Sequence, residues 1–335
     1  MQRLLNKPEE YVDDMLKGIY AAYKDRVTYV EDDMRCYVTK RKKEGKVGLM
    51  TGGGSGHLPL FLGFVGDGML DGCAIGGVFQ SPSAEQIANV TREIDSGAGV
   101  LYVYGNYTGD IMNFEMAEEL VDFDDIKCLH VKGCDDVASA PKGEEDKRRG
   151  VAGIYFVIKC AGAAADAMLP LEEVARIAEK ANGSVRTFGV ALSPCVIPEN
   201  GKANFEVKEG EMELGMGIHG EPGVEVCPLK TADETVDYML ERILADLEVK
   251  EGDEVAVLMN GLGGTPLEEL FIMYKRVTEI LDERKVSVYF AKAGEFASSM
   301  DMVGASVSVM KLDEELKKYL STEADTPFIH QSAIQ

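Results

Sequence analysis

Apolar residues recur at three- and four-residue spacing over positions 9–24 (Tyr11, Val12, Met15, Leu16, Ile19, Tyr20 and Tyr23), which predicts an amphipathic helix. The pattern then changes to short continuous apolar runs, each opening into glycine. Residues 46–50 run into Thr51-Gly52-Gly53-Gly54-Ser55-Gly56-His57, and residues 73–75 run into Gly76-Gly77. Residues 100–104 run into Gly105-Asn106-Tyr107-Thr108-Gly109-Asp110. Between them the sequence predicts a helix over 84–95, opened by a capping box of Ser83 with Gln86, and another through Phe114, Ala117, Leu120 and Val121. A fourth strand follows at 126–131. Strand, glycine loop and helix in repetition describe a mostly parallel sheet, whose ligand loops gather at the carboxyl ends of the strands. On that reading His57 and Asp110 lie near each other despite their separation in sequence.

An Ala-rich apolar helix over 151–168 and an amphipathic one over 171–181 lead to Asn182-Gly183-Ser184, the expected domain seam. Strand 187–192 begins the second half and leads through Pro194, Pro198 and a short β segment to Glu213-Leu214-Gly215-Met216-Gly217-Ile218-His219-Gly220-Glu221-Pro222-Gly223. Helix 232–246, strand 254–259, a glycine loop at 260–266, helix 267–284 and strands 286–290 and 306–312 follow. The fold class expected is therefore α/β, in two α/β domains with mostly parallel or mixed sheets. Residues 1–183 would carry the first glycine loop and Asp110, and residues 184–335 the His219 loop. The halves share this architecture and no further repeat.

Composition narrows the function. The 335 residues carry a net charge of −23, a field that repels phosphate backbones and anionic lipid, so neither nucleic acid nor a membrane is an expected partner. Seven cysteines at irregular spacing form no CxxC pair and read as thiols of a reducing compartment. No apolar signal region develops near the N-terminus and the longest apolar run is broken by Lys159 and Asp166, so a cytoplasmic location is expected. The exception to the acidic surface is Lys147-Arg148-Arg149, which reads either as a solvated loop or as a docking patch for a phosphate-bearing partner.

Candidate chemistry sits in the glycine loops. The first is neither GxGxxG nor a P-loop, and its Gly54-Ser55-Gly56 does not fit a nucleophile elbow. No HxxxH, HExxH or Cys/His cluster is present, so no metal site is expected. His219, crowded by four glycines and a proline, is either an ordinary turn residue or an imidazole held out for chemistry. Asp110 is either a helix cap or a base, two roles that do not exclude each other. His130 reads as a core or edge residue of its strand, and His330 lies in the tail. What remains is a set suited to proton transfer and nucleophilic attack by imidazole.

In order along the chain, Gly52-Gly53-Gly54-Ser55-Gly56-His57, Phe79-Gln80-Ser81-Pro82-Ser83, Asn106-Tyr107-Thr108-Gly109-Asp110 and Gly217-Ile218-His219-Gly220-Glu221-Pro222-Gly223 resemble the dihydroxyacetone-binding subunit of dihydroxyacetone kinase, DhaK. Arg148-Arg149-Gly150-Val151-Ala152-Gly153 and Leu262-Gly263-Gly264-Thr265-Pro266-Leu267 are similar too. The resemblance implies that His219 holds a ketone as a covalent hemiaminal through its tele nitrogen. It further implies that Asp110 takes the proton of the hydroxyl to be phosphorylated, that His57 assists as acid or base, and that the backbone from Gly53 to Gly56, with Ser55, holds substrate oxygens. It implies no cofactor in this chain, with ADP or ATP and magnesium on a separate DhaL-type subunit, recharged by a DhaM-type phosphotransferase protein. A homodimer is implied as well. Two departures fall at the substrate loops. Gly105 stands where the family commonly has Lys, and Leu58-Pro59 follows His57 in place of Glu-Pro. Loss of a lysine suggests a wider pocket and a four-carbon ketose such as erythrulose. A ligand-sensing coactivator that keeps His219 is the alternative.

Overall fold

A computed structural model describes residues 3–334. The first sheet has six strands: β1 (Val27–Val30), β2 (Asp33–Thr39), β3 (Gly48–Gly53), β4 (Gly72–Ile75), β5 (Val100–Gly105) and β6 (Cys128–Gly133), in the order β1-β2-β4-β3-β5-β6. Strands β4, β3, β5 and β6 are mutually parallel, as the alternating pattern requires, and their crossovers include helices α2 (Ala84–Ile94) and α3 (Thr108–Asp122). The capping box opens α2, where Ser83 and Gln86 exchange both bonds. The antiparallel pair β1 and β2 extends the sheet, next to helix α1 (Tyr11–Ala22). The sequence pattern predicts no element here, because these strands show no regular alternation of buried and exposed positions: Tyr29 alone is exposed, and Cys36 to Thr39 are all buried.

Helices α4 (Ile154–Asp166) and α5 (Leu171–Gly183) pack together under the first sheet. Every residue of α4 but the last is buried, which its apolar sequence demands. Lys159 is inside that helix too. Its ammonium donates to Tyr319 O and to the Thr322 hydroxyl, capping the end of the short helix Glu314–Leu320.

The second sheet draws its strands from residues beyond the Asn182-Gly183-Ser184 stretch: β7 (Val185–Ala191), β10 (Glu211–Leu214), β11 (Glu225–Pro228), β12 (Glu254–Gly261), β13 (Ser287–Glu295) and β14 (Gly304–Lys311). A small hairpin of β8 (Val196–Ile197) and β9 (Lys202–Ala203) precedes β10. Here the order is β11-β10-β7-β14-β12-β13, and only β12 and β13 are parallel. Helices α6 (Ala232–Asp246) and α7 (Leu267–Glu283) cover one face, and that core of β7, β12, β14, α6 and α7 side chains stands apart from the first. The final residues turn back to the first half, where Asp325 bridges Asp67 and the hydroxyl of Thr326 donates to Gly63 O. The two halves are thus joined by a shared core that reaches from Leu49 to Phe296 and Met310.

Candidate active site

The site is built where the loops after β3 and β5 meet the loop after β10. A fourth segment, residues 296–300 after β13, ties the loop after β3 to the loop after β10. Leu60 N–H donates to Phe296 O, Met300 N–H to Gly56 O, and the Ser298 hydroxyl to Leu58 O. The Ser299 hydroxyl donates to Ile218 O at 2.6 Å, one residue before His219. Sequence reading passed over these two serines, and no spacing in the chain marks them.

His57 is wholly buried, and its Nδ1 lies 2.9 Å from Ser298 O. A carbonyl oxygen can only accept, so Nδ1 carries the proton and Nε2 presents its lone pair. Burial holds this imidazole down to a pKa of about 3, with the neighbouring His219 adding to the effect. His57 is therefore a neutral acceptor, a narrower role than acid or base. Its Nε2 has no hydrogen-bond partner among the described residues.

His219 is fixed in the same manner by a stronger partner. Its Nδ1 is 2.9 Å from Glu221 Oε1, while its backbone N–H donates to Glu221 Oε2 at 3.0 Å. Burial opposes the charge on Glu221, but the hydrogen bond from His219 leads the effects that together outweigh it, and the carboxyl falls to about 2. An ionised carboxylate accepts from Nδ1–H, which leaves the tele nitrogen, Nε2, with a free lone pair. The i, i+2 spacing of His219 and Glu221 was the signal for this pair and went unread in the sequence. Gly217 makes room for it: a Cβ there would stand 2.1 Å from Glu221 Oε2 and 2.6 Å from Arg149 Nη1. Asn204 donates to His219 O, closing the loop from the side of β9.

Asp110 lies in the first turn of α3, which Tyr107 caps, so it is not the capping residue. It is buried, its Oδ1 has no hydrogen-bond partner among the described residues, and burial raises it to about 6 against the Ser81 hydroxyl and the field of His219. A buried carboxyl poised near neutrality with one oxygen unpartnered is suited to general-base work. The His57 and His219 ring centroids are 4.7 Å apart, and Phe79 stacks on His57 at 5.1 Å. Structure thus brings His57, Asp110 and His219 together. His130 is elsewhere, bonded to Tyr104 and Glu118 on β6, and His330 is exposed in the tail.

Three expectations change. The amides of Ser55 and Gly56 donate to Gly77 O and Val78 O, and Gly53 O accepts from Gly76 N–H, so much of the glycine backbone is occupied within the protein. What this loop offers a ligand is the buried Ser55 hydroxyl, which has no partner among the described residues. The pocket is not simply widened at Gly105, because the Tyr107 ring folds over that glycine. The basic patch is not a patch. Arg148 is fully buried and forms a two-pronged pair with Asp246, while Arg149 pairs with Asp136 and donates to Gly215 O beneath the His219 loop. Only Lys147 faces solvent, where it meets Glu144.

No group of three or more His, Cys, Asp or Glu side chains that could hold a metal occurs among the described residues, and all seven cysteines are free thiols. None of the described helices is long and apolar enough to cross a membrane.

Comparison with known proteins identifies the family. The Dak1 domain model matches residues 17–328. The chain is 46% identical to the dihydroxyacetone-binding subunit DhaK of PTS-dependent dihydroxyacetone kinase 2 from Listeria innocua, covering 98% of this chain and 99% of that protein. It is 43% identical to D-erythrulose kinase of Mycolicibacterium smegmatis, over its whole length but only 57% of that enzyme. The crystal structure of the C. freundii dihydroxyacetone kinase superposes with a TM-score of 0.90 at 32% identity, over 99% of this chain and 61% of that one. A dihydroxyacetone kinase operon co-activator, DhaQ, superposes at 0.87 with 30% identity, over 95% of this chain and 97% of that one. The chain belongs to the Dak1 family, among the ketose-binding subunits of dihydroxyacetone kinases.

Proposed function

We propose that this protein holds a short ketose as a covalent hemiaminal on His219 while a separate DhaL-type subunit phosphorylates one of its hydroxyls. The observation that carries the reading is the pairing of His219 Nδ1 with the ionised Glu221, which leaves Nε2 as a nucleophile, with the buried Asp110 within the field of His219. Nε2 attacks the carbonyl carbon and the C=O π pair moves to oxygen, which takes a proton from solvent. The ring passes its Nδ1 proton by way of Glu221 to solvent, which balances the proton taken up by the oxygen and leaves the adduct neutral overall. The new hydroxyl, or a substrate hydroxyl, can donate to His57 Nε2. Asp110 then accepts the proton of the hydroxyl that attacks the donor phosphoryl group.

Only a carbonyl can form this bond, so glycerol is rejected for want of one rather than by shape. The donor nucleotide and its magnesium belong to the DhaL-type partner, replenished by a DhaM-type phosphotransferase protein. A cytoplasmic homodimer is the state in which the protein would work. The near full-length match to a subunit named as PTS-dependent supports the division of labour. The likeness to an erythrulose kinase favours testing four-carbon ketoses beside dihydroxyacetone.

The likeness to a co-activator raises a second reading, a sensor that forms the adduct and goes no further. The buried, raised Asp110 favours the enzyme, because a sensor needs the adduct but not a base. The test is incubation with ATP, magnesium, a purified DhaL-type partner and a panel of three- and four-carbon ketoses, with glycerol as control. Phosphate on a ketose and none on glycerol is expected. Adduct without phosphate would leave the sensor, and no adduct with any ketose would end both readings.

A further inference from the structure

Gly105, Asn106 and Tyr107 form a tight turn in which Tyr107 N–H donates to Gly105 O at 2.8 Å. Asn106 locks the turn by donating to Asp146 O and Arg148 O. The turn folds the Tyr107 ring back over the Gly105 α-carbon, so closely that a Cβ at 105 would lie 2.9 Å from two ring carbons. The phenol is anchored by donating to Gly150 O at 3.1 Å. The other end of this arrangement is the active site, where the Tyr107 and His219 ring centroids are 4.6 Å apart at 88°. Phe79 meets the same imidazole edge-to-face at 5.6 Å.

Glu221 restrains one atom of the His219 ring. A single hydrogen bond at Nδ1 still permits the ring to swing about its Cβ–Cγ bond, and that swing would carry Nε2 off any line to a carbonyl. A ring packed perpendicular to the imidazole removes that freedom. We propose that Tyr107 is a positioning residue for His219, and that the absence of a side chain at Gly105 is what lets the tyrosine reach it. The proposal rests on the reading of His219 as the ketone-binding nucleophile. It predicts that the residue at 105 acts on the ketone through Tyr107, without touching substrate.

The test is a double-mutant cycle on Tyr107→Ala and Gly105→Ala, read by 13C NMR with a ketose labelled at its carbonyl carbon. In the wild type that resonance should move from the sp2 to the sp3 region on saturation. If it does not, the hemiaminal reading fails and the cycle is not reached. Given a wild-type adduct, Tyr107→Ala should weaken the adduct equilibrium about 2- to 12-fold, the worth of an aromatic pair. Turnover at saturating ketose should change little, so the loss appears in KM and not in kcat. Gly105→Ala alone should weaken adduct formation similarly, yet add nothing once the Tyr107 ring is gone, because the clash it creates is with that ring. Tyr107→Phe, which keeps the ring, should stay within about twofold of wild type. Additive losses in the cycle, wild-type adduct formation in Tyr107→Ala, or a Tyr107→Phe loss equal to that of Tyr107→Ala would each overturn the proposal.

Discussion

Replacing Glu221 by glutamine keeps the size of the side chain and removes its charge, and the geometry leaves the amide no good way to sit. In the wild type both carboxylate oxygens accept, Oε1 from His219 Nδ1 at 2.9 Å and Oε2 from the His219 backbone N–H at 3.0 Å. Glutamine has one acceptor and one donor. With its NH2 toward the backbone, two donors face each other. With its NH2 toward the ring, the imidazole must offer a lone pair at Nδ1, and its proton moves to Nε2, which abolishes the nucleophile. Loss of one hydrogen bond to a charged group costs roughly 1.5–3 kcal/mol, so ketose binding should weaken about 10- to 150-fold. Titration of carbonyl-labelled dihydroxyacetone followed by 13C NMR, with calorimetry for the dissociation constant, measures this directly. Glu221→Asp, which retains two acceptors, should recover part of the loss. Wild-type affinity in Glu221→Gln, with the sp3 resonance intact, would refute the assignment of the tautomer and with it the role of Glu221.

Asp110→Asn should retain the adduct and lose phosphoryl transfer, seen as an unchanged 13C signal with no ketose phosphate. The same variant should be more stable than wild type at pH 7 by about 2–3 kcal/mol, because the native carboxyl is raised from 3.8 to about 6 and its charged form is disfavoured by folding. That native contribution is fully present below pH 3.8 and lost as pH rises through about 6, so urea melts of the two proteins should converge in acid. Phosphoryl transfer in the wild type should rise with pH through an apparent pKa of about 6, measured as kcat against pH with the partner subunit in excess. Arg148→Ala should cost about 1.5–3 kcal/mol in urea unfolding, because Asp246 loses a two-pronged partner but keeps Arg186, whereas Lys147→Ala should fall within about 0.5 kcal/mol.

How much of this was readable in the chain depends on the range of the interaction. The strands β3 to β6 and helices α2, α6 and α7 were legible because their periodicity and caps are local. The β1–β2 hairpin was not, since its stability comes from pairing with β4 at long range. At the site, His57, Asp110 and His219 could be named because reactive side chains among glycines are locally conspicuous. Their tautomers could not, because Ser298 stands 241 residues from His57. Glu221 is the exception, two residues from its partner, and a reading that asked what held the imidazole would have found it.

The basic triplet failed for an instructive reason. In a chain of net charge −23, three consecutive cations look like an exposed anomaly, yet excess acid is also what supplies buried partners. Arg148 finds Asp246, and Arg149 finds Asp136 and the carbonyl of Gly215. Position along the sequence therefore says little about which side of the surface an arginine occupies. The glycines invert in the same way. Gly217 reads in the sequence as part of a turn that exposes an imidazole, and Gly105 as added pocket space, but Gly217 admits Glu221 and Gly105 admits the Tyr107 ring. In both places the missing side chain makes room for another residue of the protein, and that residue bears on His219. On the proposed reading, the loops act on the ketone by fixing the imidazole that makes the bond.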